Sequence, residues 1–253
     1  MEIIKFKRFY CPNCGHDQLN KKGFAPDGRQ RLMCLGCKKS CTVGKRPMGS
    51  PAFDPKKLLP IMNKGPEKYN KYELYSLGLL IADGSLSKNN QMSITLHPDD
   101  SYVLDYVKKA LCIPNTLRDV TCGANKSIYK RLTWGYKYSE SYWAQLGMIK
   151  NKTGNEIWLP YMESFHFLRG FLDGDGCIYK NRIIFDCSSL SFLQSMQQWL
   201  SNYMTNLGSL CKGKGDFVLS YSNGDAKLLG DYLYQDSEGI RLERKYQKYL
   251  EIK

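Results

Sequence analysis

FLRGFLDGDG, Phe167 to Gly176, decides how the rest of the chain is read. It is an apolar run broken by small residues four apart, Gly170 and Gly174, and closed by Asp175-Gly176. An earlier stretch, YSLGLLIADG, Tyr75 to Gly84, has the same form, with Gly78 and Ala82 four apart and Asp83-Gly84 at its end. Residues at i and i+4 share one helix face, and small side chains there let a second backbone approach, so the two stretches predict helices packed side by side. Gly84 and Gly176 suit the left-handed residue that ends many helices. Packed in parallel, the helices bring Asp83 and Asp175 together at the bottom of one seam, where the helix C-termini are also negative. Two carboxylates in such a place call for divalent cations. One copy alone would be an ordinary buried helix with an Asp near its end; two copies point to a shared centre.

The same unit follows each of these helices. Ser85 to His97 alternates, with Leu86, Met92, Ile94 and Leu96 on one face, Ser87, Gln91, Ser93, Thr95 and His97 on the other, and a turn at Lys88 to Asn90. Cys177 to Cys187 turns at Lys180-Asn181, with Ile178, Ile183, Phe185 and Cys187 inward and Tyr179, Arg182, Ile184 and Asp186 outward. Helices are predicted over Asp99 to Leu111 and Ser188 to Met204, opened by a capping Asp or Ser. Second hairpins follow, about Thr116 to Lys137 and Gly208 to Asn223, then helices about Ser139 to Ile149 and Asp225 to Tyr234. A charged helix, about Arg241 to Ile252, closes the chain. This internal duplication predicts two four-stranded sheets whose polar faces can hydrogen-bond base edges, since β-ribbons fit the major groove.

Leu168 to Gly176 and Ser76 to Gly84 resemble the paired signature motifs of the LAGLIDADG homing endonucleases. The second copy is a close match; the first has Ser76 where the pattern is apolar and Ile81 where it is acidic. The resemblance implies an α+β fold in which a pseudo-two-fold pair of αββαββα repeats forms a DNA-binding saddle, over roughly Tyr69 to Lys253. It implies that Asp83 and Asp175 hold catalytic Mg²⁺ beside both strands of a duplex, and that a single chain, acting as a monomer, hydrolyses phosphodiesters. In this family a basic residue often assists where the second hairpin meets the next helix. Lys137 lies in that region of the first repeat, whereas Ser220 to Lys227 has no obvious Lys at the junction. RNA-binding intron maturases use the same scaffold, and a DNA-binding regulator would keep it without catalysis; two carboxylates near phosphate count against the regulator.

The segment before the repeats has a different character. The chain has 253 residues and a net charge of +13, and Met1 to Asn70 alone carry fifteen Lys and Arg against five Asp and Glu. Such a basic head suits a polyanion. No apolar run approaches a membrane span and no signal-peptide core is evident, so the expectation is a soluble intracellular protein, cytoplasmic by default. In a reducing compartment paired cysteines read as metal ligands. Cys11 and Cys14, then Cys34 and Cys37, form two Cys-x-x-Cys knuckles nineteen residues apart, the closed set expected of structural Zn²⁺, with Cys41 and His16 as possible substitutes. Between them a hairpin turns at Asp27-Gly28. The block resembles the zinc ribbons at the N-termini of some transposases, which implies DNA contact through residues such as Arg29 and Arg31. Thr42 to Asn70 holds five of the ten prolines, and Lys45 and Arg46 could lie along a groove. The predicted boundaries are a zinc ribbon at 1–44, a basic Pro-rich linker at 45–68, and repeats at 69–157 and 158–253.

Overall fold

The computed structural model describes residues 14, 18–24, 30–43, 68–87, 91–113, 115–122, 127–135, 144, 146–148 and 153–253. The chain divides into two compact units, Met1–Ala52 and Phe53–Lys253. In the first unit, β1 (Leu19–Phe24), β2 (Gln30–Cys34) and β3 (Ser40–Val43) form an antiparallel sheet in that order. β1 and β2 are the expected hairpin, whose turn at Asp27-Gly28 lies outside the described residues. The third strand was not expected. Lys38 adopts a positive φ of 57° and its N–H donates to the Cys34 carbonyl, which reverses the chain and sets Cys41 opposite Leu32.

The second unit runs α1 (Lys71–Asp83), β4 (Ser85–Leu86), β5 (Gln91–Leu96), α2 (Val103–Ala110), β6 (Arg118–Cys122) and β7 (Ser127–Gly135). It continues with α3 (Phe165–Asp175), β8 (Gly176–Tyr179), β9 (Arg182–Cys187), α4 (Leu190–Leu200), β10 (Ser209–Lys212), β11 (Phe217–Ser222), α5 (Asn223–Tyr234) and α6 (Glu243–Leu250). Each repeat makes one antiparallel sheet, and the orders β4-β5-β7-β6 and β8-β9-β11-β10 are the same topology. β5 and β9 share one burial pattern: Met92, Ile94 and Leu96 in the first, and Ile183, Phe185 and Cys187 in the second, point into a core continuous with Leu77, Phe167 and Phe171.

Several boundaries differ from expectation, each for a local reason. Pro98–Asp100 forms a 3₁₀ turn whose Asp99 N–H donates to His97 Nδ1, and α2 begins only at Val103, after Tyr102, which gives it no side-chain cap, so Asp99 does not open it. α4 is capped by Ser189, which accepts from Phe192 N–H, but it stops at Leu200. There Ser201 and Asn202 donate their side chains to the carbonyls of Gln198 and Trp199. α6 spans only Glu243–Leu250. Most of the helix expected at Ser139 to Ile149 lies outside the described residues, and of those described within it Leu146 and Gly147 are in a turn. Gly84 and Gly176 are not left-handed: their φ, ψ of −71°, 146° and −116°, 170° are extended. Glycine is needed there for space, since a Cβ at Gly84 would lie 3.0 Å from the Leu80 carbonyl carbon, and one at Gly176 2.7 Å from the Leu172 oxygen.

Candidate active site and nucleic-acid interface

α1 and α3 meet backbone to backbone, as their small residues require. A Cβ added at Gly78 would strike the Phe167 carbonyl oxygen and lie 2.8 Å from Phe171 N. The reciprocal holds at Gly170, where it would strike the Tyr75 oxygen and lie 2.9 Å from Leu79 N. One turn further, a Cβ at Gly174 would collide with that of Ala82 and sit 3.3 Å from Asp83 Oδ2. The Asp83 carboxylate therefore lies against the residue preceding Asp175. Both aspartates are the last residues of their helices, and both are exposed. Exposed hard oxygen donors at two adjacent helix C-termini fit a divalent cation such as Mg²⁺. Asp175 also lines a cleft of about 380 Å³ whose wall carries Glu156, Asp186, Ser188 and Asp216. Burial, and then the charge of Asp216, raise the Asp186 carboxyl above the usual range.

Behind this centre, three buried charged groups tie α3 to the C-terminal segment. Arg169 donates to the Ile240 and Leu233 carbonyls at 3.0 and 2.6 Å, stacks over Tyr75, and places Nη2 3.2 Å from His166 Nδ1. Burial, and then the charge of Arg169, lower the His166 pKa to about 4, so the imidazole is neutral and accepts. Asp173, 2% exposed, accepts at Oδ2 from Tyr75 O–H and Leu242 N–H, both at 2.8 Å, while its Oδ1 has no hydrogen-bond partner. Burial lifts its carboxyl to about 6, against the pull of Lys245, Leu242 N–H, Tyr75 and Arg169. Lys245, 4% exposed on α6, donates to the carbonyls of Leu172, Asp173 and Gly176 at 2.6, 2.8 and 2.8 Å. Its ammonium thus caps the helix end that carries Asp175. Burial lowers its pKa, and Asp173 and Asp83 are among the charges that favour its cationic form. Sequence reading missed Lys245, because its role depends on a contact some seventy residues away in sequence.

The outward faces of the sheets carry the other expected residues. Ser87 Oγ accepts from Gln91 N–H at 3.1 Å and closes the first hairpin. Ser93 and Thr95 are half-buried and Gln91 is exposed. Thr95 accepts from Arg131 Nε at 2.8 Å, and Arg131 is paired across the strands with Arg118. Neither Arg118 nor Arg131 was singled out from the sequence, although the alternation of β7 would have placed Arg131 outward. On the second sheet Tyr179 and Arg182 are exposed and Asp186 is half-buried. Lys45, Arg46, Arg29 and Lys137 lie outside the described residues.

In the first unit, Cys14, Cys34 and Cys37 place their sulfurs within 4.8 Å of one another. Cys14 and Cys34 are 3.6 Å apart, and Cys37 N–H donates to the Cys34 sulfur at 3.5 Å. Tetrahedral thiolates about 2.3 Å from zinc are separated by roughly 3.8 Å, so these three fit. Cys11 is outside the described residues, and Cys41 on β3 is not among the clustered thiols. Arg31 is exposed on β2 opposite Thr42. No helix among the described residues is long and apolar enough to cross a membrane.

Residues 162–206 match the family described as LAGLIDADG-like domain. Among solved structures, the homing endonuclease I-WcaI bound to its DNA recognition sequence is similar with a TM-score of 0.51 and 14% identity, over 77% of this chain and 97% of that one. Mesophilic variants of the homing endonuclease I-DmoI give 0.47 at 17% identity, over 64% and 95%. The N-terminal LAGLIDADG domain of DUF199/WhiA gives 0.46 at 18%, over 78% and 93%. No curated protein matches the chain.

Proposed function

From a chain that carries a LAGLIDADG-like domain in its second repeat and has the LAGLIDADG homing endonuclease fold, we propose a site-specific endonuclease that cuts both strands of duplex DNA. The observation that carries this reading is the seam: two helices in reciprocal glycine contact, each ending in an exposed Asp, set between two sheets of identical topology. Asp83 and Asp175 would hold the divalent cation, Mg²⁺ by preference. When bound, such a cation supplies an acidified water and neutralises charge on the phosphoryl oxygens. The protein's own part is to present two carboxylates on helices that cannot shift, because Gly78 and Gly170 lock them and Lys245 fixes the end of α3. Lys137 is the candidate assisting base of the first repeat. Cys11, Cys14, Cys34 and Cys37 would bind one structural zinc, and the ribbon with Lys45 and Arg46 would add sequence-independent affinity.

The test is cleavage of the DNA flanking the chain's own gene by purified protein with Mg²⁺. Asp83→Asn and Asp175→Asn should each abolish double-strand cutting while gel-shift binding persists or tightens, since each removes a negative charge near phosphate. A variant that cuts both strands at the wild-type rate sinks the assignment. Metal analysis of protein purified without chelator should find one zinc per chain; none would remove the ribbon from the reading.

A further inference from the structure

The strand register allows the outward faces of the two sheets to be compared row by row. In the first repeat, Ser85, Ser93 and Thr133 form one row, and Thr95, Arg131 and Arg118 the next. This face is hydroxylic and cationic. In the second repeat, Tyr179, Arg182 and Ser222 form an outer row, Cys177, Ile184, Ser220 and Ser209 the next, and Asp186, Val218 and Cys211 the one after. Ile184 and Val218 sit diagonally at the centre of that face, half-buried, with the exposed thiols Cys177 and Cys211 at either side. The opposite faces of the same strands bury Ile183, Phe185, Leu219 and Tyr221, so Ile184 and Val218 are surplus to the core. Four apolar or weakly polar groups in neighbouring rows, with Arg182 on one side and one carboxylate on the other, offer phosphate little beyond Arg182. They are a good surface for base edges.

In the major groove only thymine presents a methyl group, and a carboxylate can accept only from the exocyclic amines of cytosine or adenine. Arginine prefers the O6 and N7 acceptors of guanine. Resting on the reading of the chain as a site-specific DNA-binding enzyme, we propose that the two sheets read their half-sites by different chemistry. The second sheet selects thymine methyl groups through Ile184 and Val218, with Asp186 accepting from one base amine next to them. The first sheet selects guanine through Arg118 and Arg131. Asp186 then acts mainly as a discriminator: opposite a guanine or thymine oxygen its charge is repelled, so a wrong base is rejected as well as the right one favoured.

The experiment selects duplexes from a random pool with the full chain in Ca²⁺, then replaces thymine by uracil, which removes only the methyl group, in one half of the selected site at a time. The half-sites are assigned by the guanine preference that Arg131→Ala relaxes. Uracil in the half facing the second repeat should weaken binding about fourfold for each methyl contacted, the worth of one buried carbon. Uracil in the other half should change it less than twofold. Val218→Thr, which keeps the β-branched shape, and Ile184→Thr should each lose part of the uracil sensitivity while the salt dependence is unchanged. Equal tolerance of uracil in both halves overturns the proposal but leaves sequence-specific binding standing. A pool that yields no preferred site overturns both readings. If Ile184→Thr instead changes the oligomeric state, the apolar face binds protein and the proposal is wrong.

Discussion

α1 and α3 are equals where they touch and opposites elsewhere. Each gives one glycine to the other's backbone. Away from that contact, α1 keeps Glu73 and Ser76 local, in a capping box with Asn70 and a 2.7 Å bond to the Tyr72 carbonyl, while Lys71 and Tyr75 reach Asp236 and Asp173. α3 instead commits Arg169 and Asp173 to the C-terminal segment, which answers with Lys245. The close approach of the two backbones is thus set by side-chain size, whereas the charges inside α3 answer both Tyr75 of α1 and the C-terminal segment. The sheets differ too, the first with paired Arg118 and Arg131 at the centre of its outward face and the second with Ile184 and Val218 there.

The largest effect should come from the shared part. Gly170→Val and Gly78→Val each drive carbon into a backbone carbonyl that belongs to a packed helix and cannot give way. Each should cost more than about 4 kcal/mol, well beyond the roughly 1 kcal/mol gained by removing a helical glycine. Denaturant unfolding should show either no folded protein or equal losses in the two variants. A tolerated valine at one site and not the other would break the reciprocity.

Next comes the part that differs. Lys245→Met removes three donations at the end of α3 and leaves Arg169 as the remaining cation acting on Asp173, at a cost of about 3 kcal/mol. Ser76→Ala removes only a hydroxyl bonded within its own helix and should stay within about 0.5 kcal/mol. Unfolding midpoints measured side by side test the contrast, and similar losses would mean that the two helices are not built differently after all.

The seam, the duplication and the strand faces were legible in the sequence because they depend on local period: small residues four apart, alternation along β5 and β9, turns at Lys180-Asn181. The departures at Ser76 and Ile81 also become intelligible. Ser76 sits buried at an apolar position because its helix accepts the hydroxyl, and Ile81 is an ordinary core residue where Asp173 finds Tyr75 and Leu242. What could not be read was set by distant partners. Asp100 accepts from Arg244 of the C-terminal helix, and Lys245 found the end of α3. The glycines after Asp83 and Asp175 were correctly seen as necessary but for the wrong reason, since close packing rather than a left-handed φ demands them.

A smaller effect should separate the sheets. Arg118→Ala and Arg131→Ala should each lower the slope of log affinity against log salt by up to about one, while Val218→Thr leaves it unchanged. Fluorescence anisotropy with a labelled duplex over a range of salt makes the measurement. A salt slope that responds to Val218→Thr as it does to the arginines would erase the distinction between the faces.

The finest contrast lies within α3 and is read by pH. His166 has a folded pKa of about 4, below the usual 6.5, because burial and Arg169 disfavour the imidazolium. Above pH 6.5 the ring is neutral in both folded and unfolded chains, and the stability associated with the shift is fully present. As pH falls from 6.5 towards 4 only the unfolded chain takes up the proton, so that stability is lost. Asp173 works in the opposite sense, since its carboxyl is raised to about 6 and the folded state binds its proton more readily as pH falls through 6 towards 3.8. The contributions of the two groups therefore nearly offset one another between pH 6.5 and 4. His166→Gln keeps an acceptor for Arg169 but cannot be protonated. Its stability relative to wild type should rise as pH falls through that window and level off below about pH 4. Urea unfolding at half-unit intervals gives the difference curve; a curve without slope between pH 6.5 and 4 would mean that His166 is as free to charge in the folded protein as in the unfolded chain.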